Sequence, residues 1–360
     1  MNEFGVYIHI PFCAAKCDYC AFATWTDRHH LAEAYLAALH TEIERAVADG
    51  LPTATTVFVG GGTPTQVEPA ALADVIAAVP RATDAEVTVE CNPDDVDVDL
   101  FATYRSAGVN RISLGVQSMS AHVLAALGRT HDPDNVAAAV AALRTAGMSS
   151  FNLDLIYGSV GETVDDWAQT LDAALALDPP HISAYGLTVE AGTPLAESPA
   201  RYPDDDDQAD KYELADDRLE AAGLAHYEVS NWARAGHESR HNRLYWSQTD
   251  YRGFGCAAHS HAAGRRWWNV RTPDRYIALV GRGESVVAAD EQLDVATRTV
   301  ESRQLSLRTR EGVESAAFSA SDLDELIAAG LVVRAARSTV RLTRRGRLLA
   351  NEVALRVRSE

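Results

Sequence analysis

Three cysteines lie within eight residues near the start of the 360-residue chain, at Cys13, Cys17 and Cys20. Thiolates are the ligands that hold iron–sulfur clusters, and a fully ligated cubane takes a set of four. Three closely spaced cysteines on one loop can therefore bind three irons and leave the fourth without a protein ligand. An open coordination position is what a catalytic metal site needs. The spacing predicts a [4Fe–4S] cluster with one open iron.

A structural zinc site is the alternative for the same three thiols. It would need a fourth ligand, which His9 or His29 could supply. The other two cysteines, Cys91 and Cys256, lie far away in the sequence, and a total of five does not suggest a disulfide framework. Cys91 is expected to be a small buried residue. The pattern favours iron over zinc, in a protein of the reducing cytoplasm.

A glycine-rich segment follows one strand–helix unit later. Gly60, Gly61 and Gly62 come directly after the apolar run Val57–Val59 and precede Thr63. Without Cβ atoms, the backbone N–H and C=O groups of such a turn can approach a small ligand closely. Most glycine-rich turns have no such role, so the segment gains its significance from the cysteines that precede it.

The composition excludes several classes of function. The formal net charge is −19, which argues against binding to nucleic acid or to an anionic membrane surface. No apolar run is long enough to predict a membrane span, and the first residues lack the basic region of a signal peptide. With 47% hydrophobic residues, the chain can bury a substantial core.

Short β-rich runs alternate with Ala- and Leu-rich helical stretches up to about residue 190. Six such units predict an α/β fold with a parallel sheet. Polar, Gly and Cys residues follow the ends of successive strands, as in (β/α) barrels, where the loops converge on one rim. We therefore expect a partial (β/α)6 barrel. The predicted strands are Gly5–Ile10, Thr55–Gly60, Glu86–Cys91, Asn110–Val116, Ser150–Tyr157 and His181–Thr188.

The remainder of the chain differs in character. We predict a barrel over 1–198, an extension rich in aromatic residues and Arg over 199–294, and a small module over 295–360. The acidic run Asp204–Asp207 is interpreted as a solvated linker. In the last module a helix and a short ribbon indicate a winged-helix-like unit. DNA binding is its alternative function, but the acidic chain favours a structural appendage.

Ordered motifs along the chain carry a family resemblance. The segment Tyr7–Cys13 with the cysteine triplet resembles the radical S-adenosylmethionine (SAM) branch that contains the oxygen-independent coproporphyrinogen III dehydrogenases and the HemW heme chaperones. Further segments similar to this branch are Gly60–Thr65, Asn110–Ser118, Leu127–His131, Asn152–Gly158, His226–Ala233 and His241–Trp246.

This resemblance implies roles for individual residues. Cys13, Cys17 and Cys20 would hold the cluster, whose open iron would bind SAM. The implied contacts of that SAM are Tyr7, Gly61, Gly62, Thr63 and Glu90, and Tyr19 is assigned to the same cofactor site. The neighbouring part of the pocket, which receives a second SAM in the dehydrogenases, would comprise Gln117, Arg129 and Asp154.

Two departures indicate which branch the chain belongs to. The dehydrogenases carry a fourth Cys in the cluster motif where this chain has Phe22, and a long extension where this chain has twelve residues before Cys13. Both favour the heme chaperone. The dehydrogenase, which oxidatively decarboxylates its substrate in porphyrin biosynthesis, is the alternative, followed by a radical SAM enzyme with another substrate. The sequence does not decide whether the chain catalyses a reaction, and no catalytic residue is assigned.

The segment 231–271 is the predicted heme contact. It carries seven Arg against two acidic residues, about +5 in an acidic chain, together with four of the six Trp and four of the twelve His. Aromatic faces, Arg forks and a His would suit the macrocycle, the carboxylates and the iron of heme. His241 is the leading predicted ligand, and Cys256 and His259 are weaker ones. Packing of a sheet extension is the alternative explanation.

The resemblance also implies partners. They are heme and heme-acceptor proteins, with respiratory-chain proteins among the candidates, and peripheral association with a membrane through those partners.

Overall fold

The fold is a partial barrel built on six parallel strands. A computed structural model describes residues 3–359. The strands pair in sequence order, each parallel to the next. They are β1 (Gly5–Ile10), β2 (Ala54–Gly61), β3 (Arg81–Cys91), β4 (Arg111–Gln117), β5 (Ser150–Tyr157) and β6 (His181–Gly186). The expected α/β class and partial (β/α)6 barrel are confirmed.

Helices connect successive strands and cover the sheet. The apolar side chains of Val6, Ile8 and Ile10 in β1, and of Val57 and Val59 in β2, are fully buried. This is the expected pattern for parallel strands that are covered by crossover helices. These helices are α1 (Ala32–Ala48), α2 (Pro69–Ala77), α3 (Val98–Ser106), α4 (Ala121–Ala126), α5 (Asp134–Thr145) and α6 (Val164–Ala176).

The sheet continues past the barrel on both sides. β8 pairs antiparallel with β6, and β9 pairs parallel with β1, so the sheet reaches twelve strands within the described residues. The added strands are β7 (Ala225–Glu228), β8 (Asn231–Ala233), β9 (Tyr251–Phe254), β10 (His259–Ala262), β11 (Arg265–Asn269) and β12 (Val287–Gln292). The helices between them are α7 (Asp205–Ala221), α8 (Arg240–Trp246) and α9 (Pro273–Arg282).

The C-terminal segment has a separate hydrophobic core. Leu307, Leu323, Val340 and Val353 belong to it. Its strands pair in the order β13 (Val313–Glu314), β15 (Thr339–Leu342) and β14 (Val332–Arg334). Its helices are α10 (Val295–Leu307), α11 (Ala320–Ala328), α12 (Arg344–Leu348) and α13 (Ala350–Ala354). The domain limits at 198 and 294 stay predictions.

Two local predictions were wrong. Asp27 does not cap the first helix, because a 3-10 turn over His29–Leu31 precedes α1. The acidic run from Asp204 is not a linker but the start of α7. Its Asp204 carboxylate accepts a hydrogen bond from the Asp207 backbone N–H at 2.9 Å. Carboxylates there cap free N–H groups and complement the helix dipole, so the run stabilises a helix start.

No helix within residues 3–359 combines the length and apolar character that crossing a bilayer requires.

Candidate functional site

The carboxyl ends of β1–β6 surround a cavity of about 770 Å³. We call it the thiol cavity, because Cys13, Cys17 and Cys20 all lie on its wall. The parallel strands and their following loops converge there, as the barrel geometry dictates. Other predicted site residues on the same wall are Tyr19, Gly61, Gly62, Thr63, Glu90, Gln117, Arg129 and Asp154.

The glycines form a cradle that side chains would fill. A Cβ on Gly62 would lie 2.7 Å from the Phe12 backbone oxygen, and one on Gly60 would lie 2.5 Å from Glu90 Oε2. Gly61 has φ of +114°, a conformation that L side chains rarely adopt. The segment therefore needs glycine at each position, and its backbone can approach a ligand in the cavity.

Two of the thiols have polar neighbours suited to a thiolate. The Thr63 hydroxyl donates to Cys13 Sγ at 3.6 Å, and Arg129 Nη1 donates to Cys17 Sγ at 3.5 Å. Arg129 Nη2 also donates to the Gly115 carbonyl oxygen at 2.9 Å, which anchors the guanidinium. The sulfur of Cys17 thus has a fixed cationic hydrogen-bond donor beside it.

The two histidines that could complete a zinc site are engaged with other groups. His9 Nε2 lies 2.9 Å from the Ala23 oxygen, and its Nδ1 lies 3.0 Å from the Tyr7 hydroxyl. His29 Nε2 lies 3.0 Å from the Cys13 carbonyl oxygen.

Two carboxyl groups also line the thiol cavity. Burial and, to a smaller extent, the nearby Asp154 raise the pKa of Glu90 to about 8, although the Gly61 N–H donates to Glu90 Oε2 at 3.2 Å. Burial also raises the pKa of Asp154, whose carboxylate accepts hydrogen bonds from Ser113 Oγ at 2.7 Å and Asn152 Nδ2 at 2.8 Å. Because the charges of the two carboxyl groups raise each other's cost of ionisation, a cation bound between them would be favoured.

Gln117 is placed by an irregularity at the end of β4. Its φ is +62°, and the pairing of β4 with β5 shifts register between Gly115 and Gln117. A bulge of this kind re-aims a side chain, and a non-glycine residue at positive φ is strained. Both features direct Gln117 to the wall of the thiol cavity.

A second cavity, of about 880 Å³, adjoins the first. We call it the sheet-edge cavity, because strands β9–β11 form one side of it. Ala21 and Phe22 line both cavities, and Phe22 is 67% exposed. Tyr7, predicted to contact SAM, lines the sheet-edge cavity and not the thiol cavity. Its hydroxyl lies 3.0 Å from His9 Nδ1, and the His9 ring lies directly against Gly61, so Tyr7 adjoins the glycine cradle from the side of the sheet-edge cavity. Its contact with SAM stays a prediction.

The position of His241 does not fit its predicted role as a heme ligand. The ring is fully buried, with Nδ1 at 2.8 Å from Thr56 Oγ1 and Nε2 at 2.8 Å from the Tyr245 hydroxyl. Both nitrogens therefore already have partners, and the ring packs on Phe58 to hold α8 against β2. Burial lowers the pKa of His241 to about 3. Cys256 is equally buried, beside the Tyr35 hydroxyl.

Similar proteins identify the family. A family model described as the radical SAM superfamily matches residues 7–174. The heme chaperone HemW of Mycobacterium tuberculosis is 43% identical over 367 residues, covering 98% of this chain and 94% of the relative. HemW of Bacillus subtilis is 35% identical, covering 97% of each chain. The chain belongs to the HemW family. HemW of Escherichia coli is 40% identical over 71% of this chain and 69% of its own length.

A solved structure supports the fold. The coproporphyrinogen III oxidase HemN of Escherichia coli, described as a radical SAM enzyme, aligns with a TM-score of 0.85. It covers 98% of this chain and 89% of HemN at 24% identity, so the likeness is one of fold. The HemW relatives therefore decide between the two branches, and they support the chaperone over the dehydrogenase.

Ser113 and Asn92 are among the residues of the thiol cavity that were not assigned to the site from the sequence. Ser113 binds Asp154, and Asn92 accepts from Arg129 Nη2 at 3.2 Å. The signal for Ser113 was its alternation with Gly115 and Gln117 along β4, since residues two apart share a face. Asn92 directly follows the end of β3, the position that marked the other rim residues.

Proposed function

We propose that this HemW-family chain is a heme chaperone, which binds heme and passes it to acceptor proteins while carrying a SAM-binding [4Fe–4S] cluster. The observation that carries the proposal is the pair of adjoining cavities. One gathers Cys13, Cys17 and Cys20 beside a glycine cradle, and the other has aromatic, Arg and His walls. The two share the wall at Phe22, so the cluster site and the cargo site would be neighbours.

The thiol cavity has groups that complement each part of SAM. Backbone atoms of Gly61 and Gly62 and the Thr63 hydroxyl line the side nearest Cys13. When deprotonated, Glu90 and Asp154 would supply negative charge for the amino and sulfonium groups. When bound at the open iron, SAM would supply one-electron chemistry. The residues of this chain would bind and orient it, and Arg129 would hold the Cys17 sulfur in place through its hydrogen bond.

The proposal extends to partners and location. We infer that the chain acts in the cytoplasm, that its acceptors include respiratory-chain proteins, and that it reaches a membrane through them. Phe22 supports a chaperone over a dehydrogenase. It lies where the two cavities meet, at the position where the dehydrogenases have a Cys.

The test is anaerobic reconstitution followed by separate cofactor and transfer assays. We expect about four irons and four sulfides per chain, an EPR signal of the reduced cluster that changes with SAM, and binding of about one heme. Heme should then move to a heme-free acceptor protein in the absence of free heme. Stoichiometric zinc without iron would contradict the cluster, and failure of the purified chain to bind heme would contradict the chaperone.

A further inference from the structure

The sheet-edge cavity has a face built by strand register. β10 and β11 pair so that His259 lies opposite Trp268, and His261 lies opposite Arg266. Directly opposed residues of an antiparallel pair point to the same side of the sheet. Tyr251 of β9 pairs with His261 and continues this row. Three strands thus present imidazole, indole, phenol and guanidinium groups to one cavity.

A glycine in β9 deepens this face. Gly253 pairs with Tyr7 of β1 and lies against the backbone oxygen of His259, so closely that a Cβ would clash. The sheet therefore has no side chain between Tyr7 and His259. The cavity volume of about 880 Å³ lies in the range, about 300–1,000 Å³, that holds drug-sized ligands.

His259 differs from the other histidines near this cavity. His9 and His241 have hydrogen-bond partners at both ring nitrogens, and His261 is buried with Nδ1 at 3.5 Å from Asp250 Oδ1. His259 is exposed, its ring stacks on Trp268 with centroids 5.8 Å apart, and within residues 3–359 neither of its nitrogens has a hydrogen-bond partner. Partial desolvation by the cavity walls, together with the charge of Arg266, lowers the pKa of His259 and so favours the neutral imidazole with a free lone pair.

The cations of the cavity also differ in availability. Arg266 already pairs with Glu291 at 2.7 Å and with Glu301 at 3.1 Å. Arg271 lines the same cavity, is exposed, and has no ion pair among the described residues. A carboxylate that enters the cavity would therefore meet Arg271 without displacing an internal partner.

We propose that the sheet-edge cavity is the heme site, with His259 as an axial ligand of the iron and Arg271 paired with a propionate. This inference rests on the proposed function, since it names where the cargo binds. Trp268, Tyr251 and Phe22 supply aromatic surface for the macrocycle. The heme would share the wall at Ala21 and Phe22 with the thiol cavity.

The test is a titration of ferric heme into the reconstituted full chain, followed by Soret difference spectra. His259→Ala should shift the Soret maximum and weaken binding about tenfold or more, and added imidazole should restore the wild-type maximum. Arg271→Gln should weaken binding severalfold at an unchanged maximum. The matched controls are His30→Ala and Arg275→Gln, which change exposed residues outside the cavity. A cluster content equal to wild type establishes that each variant is folded.

The outcomes separate the two proposals. If wild type binds no heme, the proposed function fails and the site assignment fails with it. If wild type binds heme and His259→Ala retains its spectrum and affinity, the assignment to His259 is wrong while the chaperone function stands. A shift in His259→Ala that imidazole does not reverse would also contradict direct ligation, because a missing ligand can be replaced from solution.

Discussion

The two adjoining cavities were assembled from the sequence in different ways. The thiol cavity takes its residues from the ends of successive parallel strands. Residues that follow such strands in the sequence also lie close together at one rim of the barrel. The sheet-edge cavity combines Tyr7 and Phe22 with residues more than 220 positions later, brought together because β9 pairs with β1. Local motifs therefore predict the thiol cavity well. The sheet-edge cavity depends on the pairing of β1 with β9, which no sequence motif predicts.

Loss of the cluster thiols should have the largest effect. Replacing Cys13, Cys17 or Cys20 with Ala should abolish the cluster, because two thiolates cannot replace three. Cys91→Ala and Cys256→Ala are the controls and should retain it, since both thiols are buried and belong to other segments of the chain than the cysteine triplet. Iron and sulfide analysis after anaerobic reconstitution measures the outcome. A requirement for Cys91, which also lines the thiol cavity, would break the open-iron assignment.

The pH dependence of SAM binding should come next. Because the pKa of Glu90 is raised to about 8, its carboxyl group is mostly neutral at lower pH. A cationic SAM prefers the carboxylate, so its affinity should rise tens-fold from about pH 6 to about pH 9. Glu90→Gln should weaken binding and flatten the profile. An equally steep profile in that variant would place the titrating group elsewhere.

Glu90→Gln should weaken SAM binding but raise the stability of the SAM-free protein at high pH. Glu90 has its ordinary pKa of 4.5 when unfolded and a pKa of about 8 when folded. The folded state holds the proton more tightly, so stability falls as pH rises from about 4.5 through about 8. Without SAM, Glu90→Gln should therefore raise Tm at about pH 8.5 and leave it unchanged at about pH 4. A Tm lowered at both pH values would contradict a raised pKa of Glu90 in the folded protein.

Arg129 tests the electrostatics of the thiol loop. Arg129→Gln should assemble the cluster but lose it severalfold faster to a chelator, because Cys17 loses its cationic donor. Arg144→Gln is the control, since its guanidinium is exposed and bonds to the Leu177 carbonyl oxygen. Cluster absorbance against time measures both rates. Equal rates in the two variants would show that the contact with Cys17 is dispensable.

The last prediction is the absence of a reaction. The reconstituted chain with SAM and a reductant should convert no coproporphyrinogen III, because Phe22 stands where the dehydrogenases have a Cys. Slow SAM cleavage is compatible with this prediction, since an open cluster can react without substrate. Multiple-turnover decarboxylation would contradict the prediction and show that the chain has the activity of the dehydrogenases.

The thiol spacing, the six strand–helix units and the polar residues at strand ends could be predicted from the sequence alone. Each is a local pattern: ligand spacing follows from loop length, and strands follow from short β-rich runs. The same holds for α6, whose Thr163 cap forms a reciprocal pair with Asp166. The family motifs then identified the branch.

Tertiary structure decided which side chains are available for chemistry. Tyr7 and His9 share a face of β1, and only the pairing of β1 with β9 directs that face to the second cavity. His241 and His259 look alike as candidate ligands in sequence. The first is buried between Thr56 and Tyr245, and the second is exposed beside Trp268. Availability of a ring nitrogen depends on partners distant in the chain, and their positions are set by packing rather than by spacing.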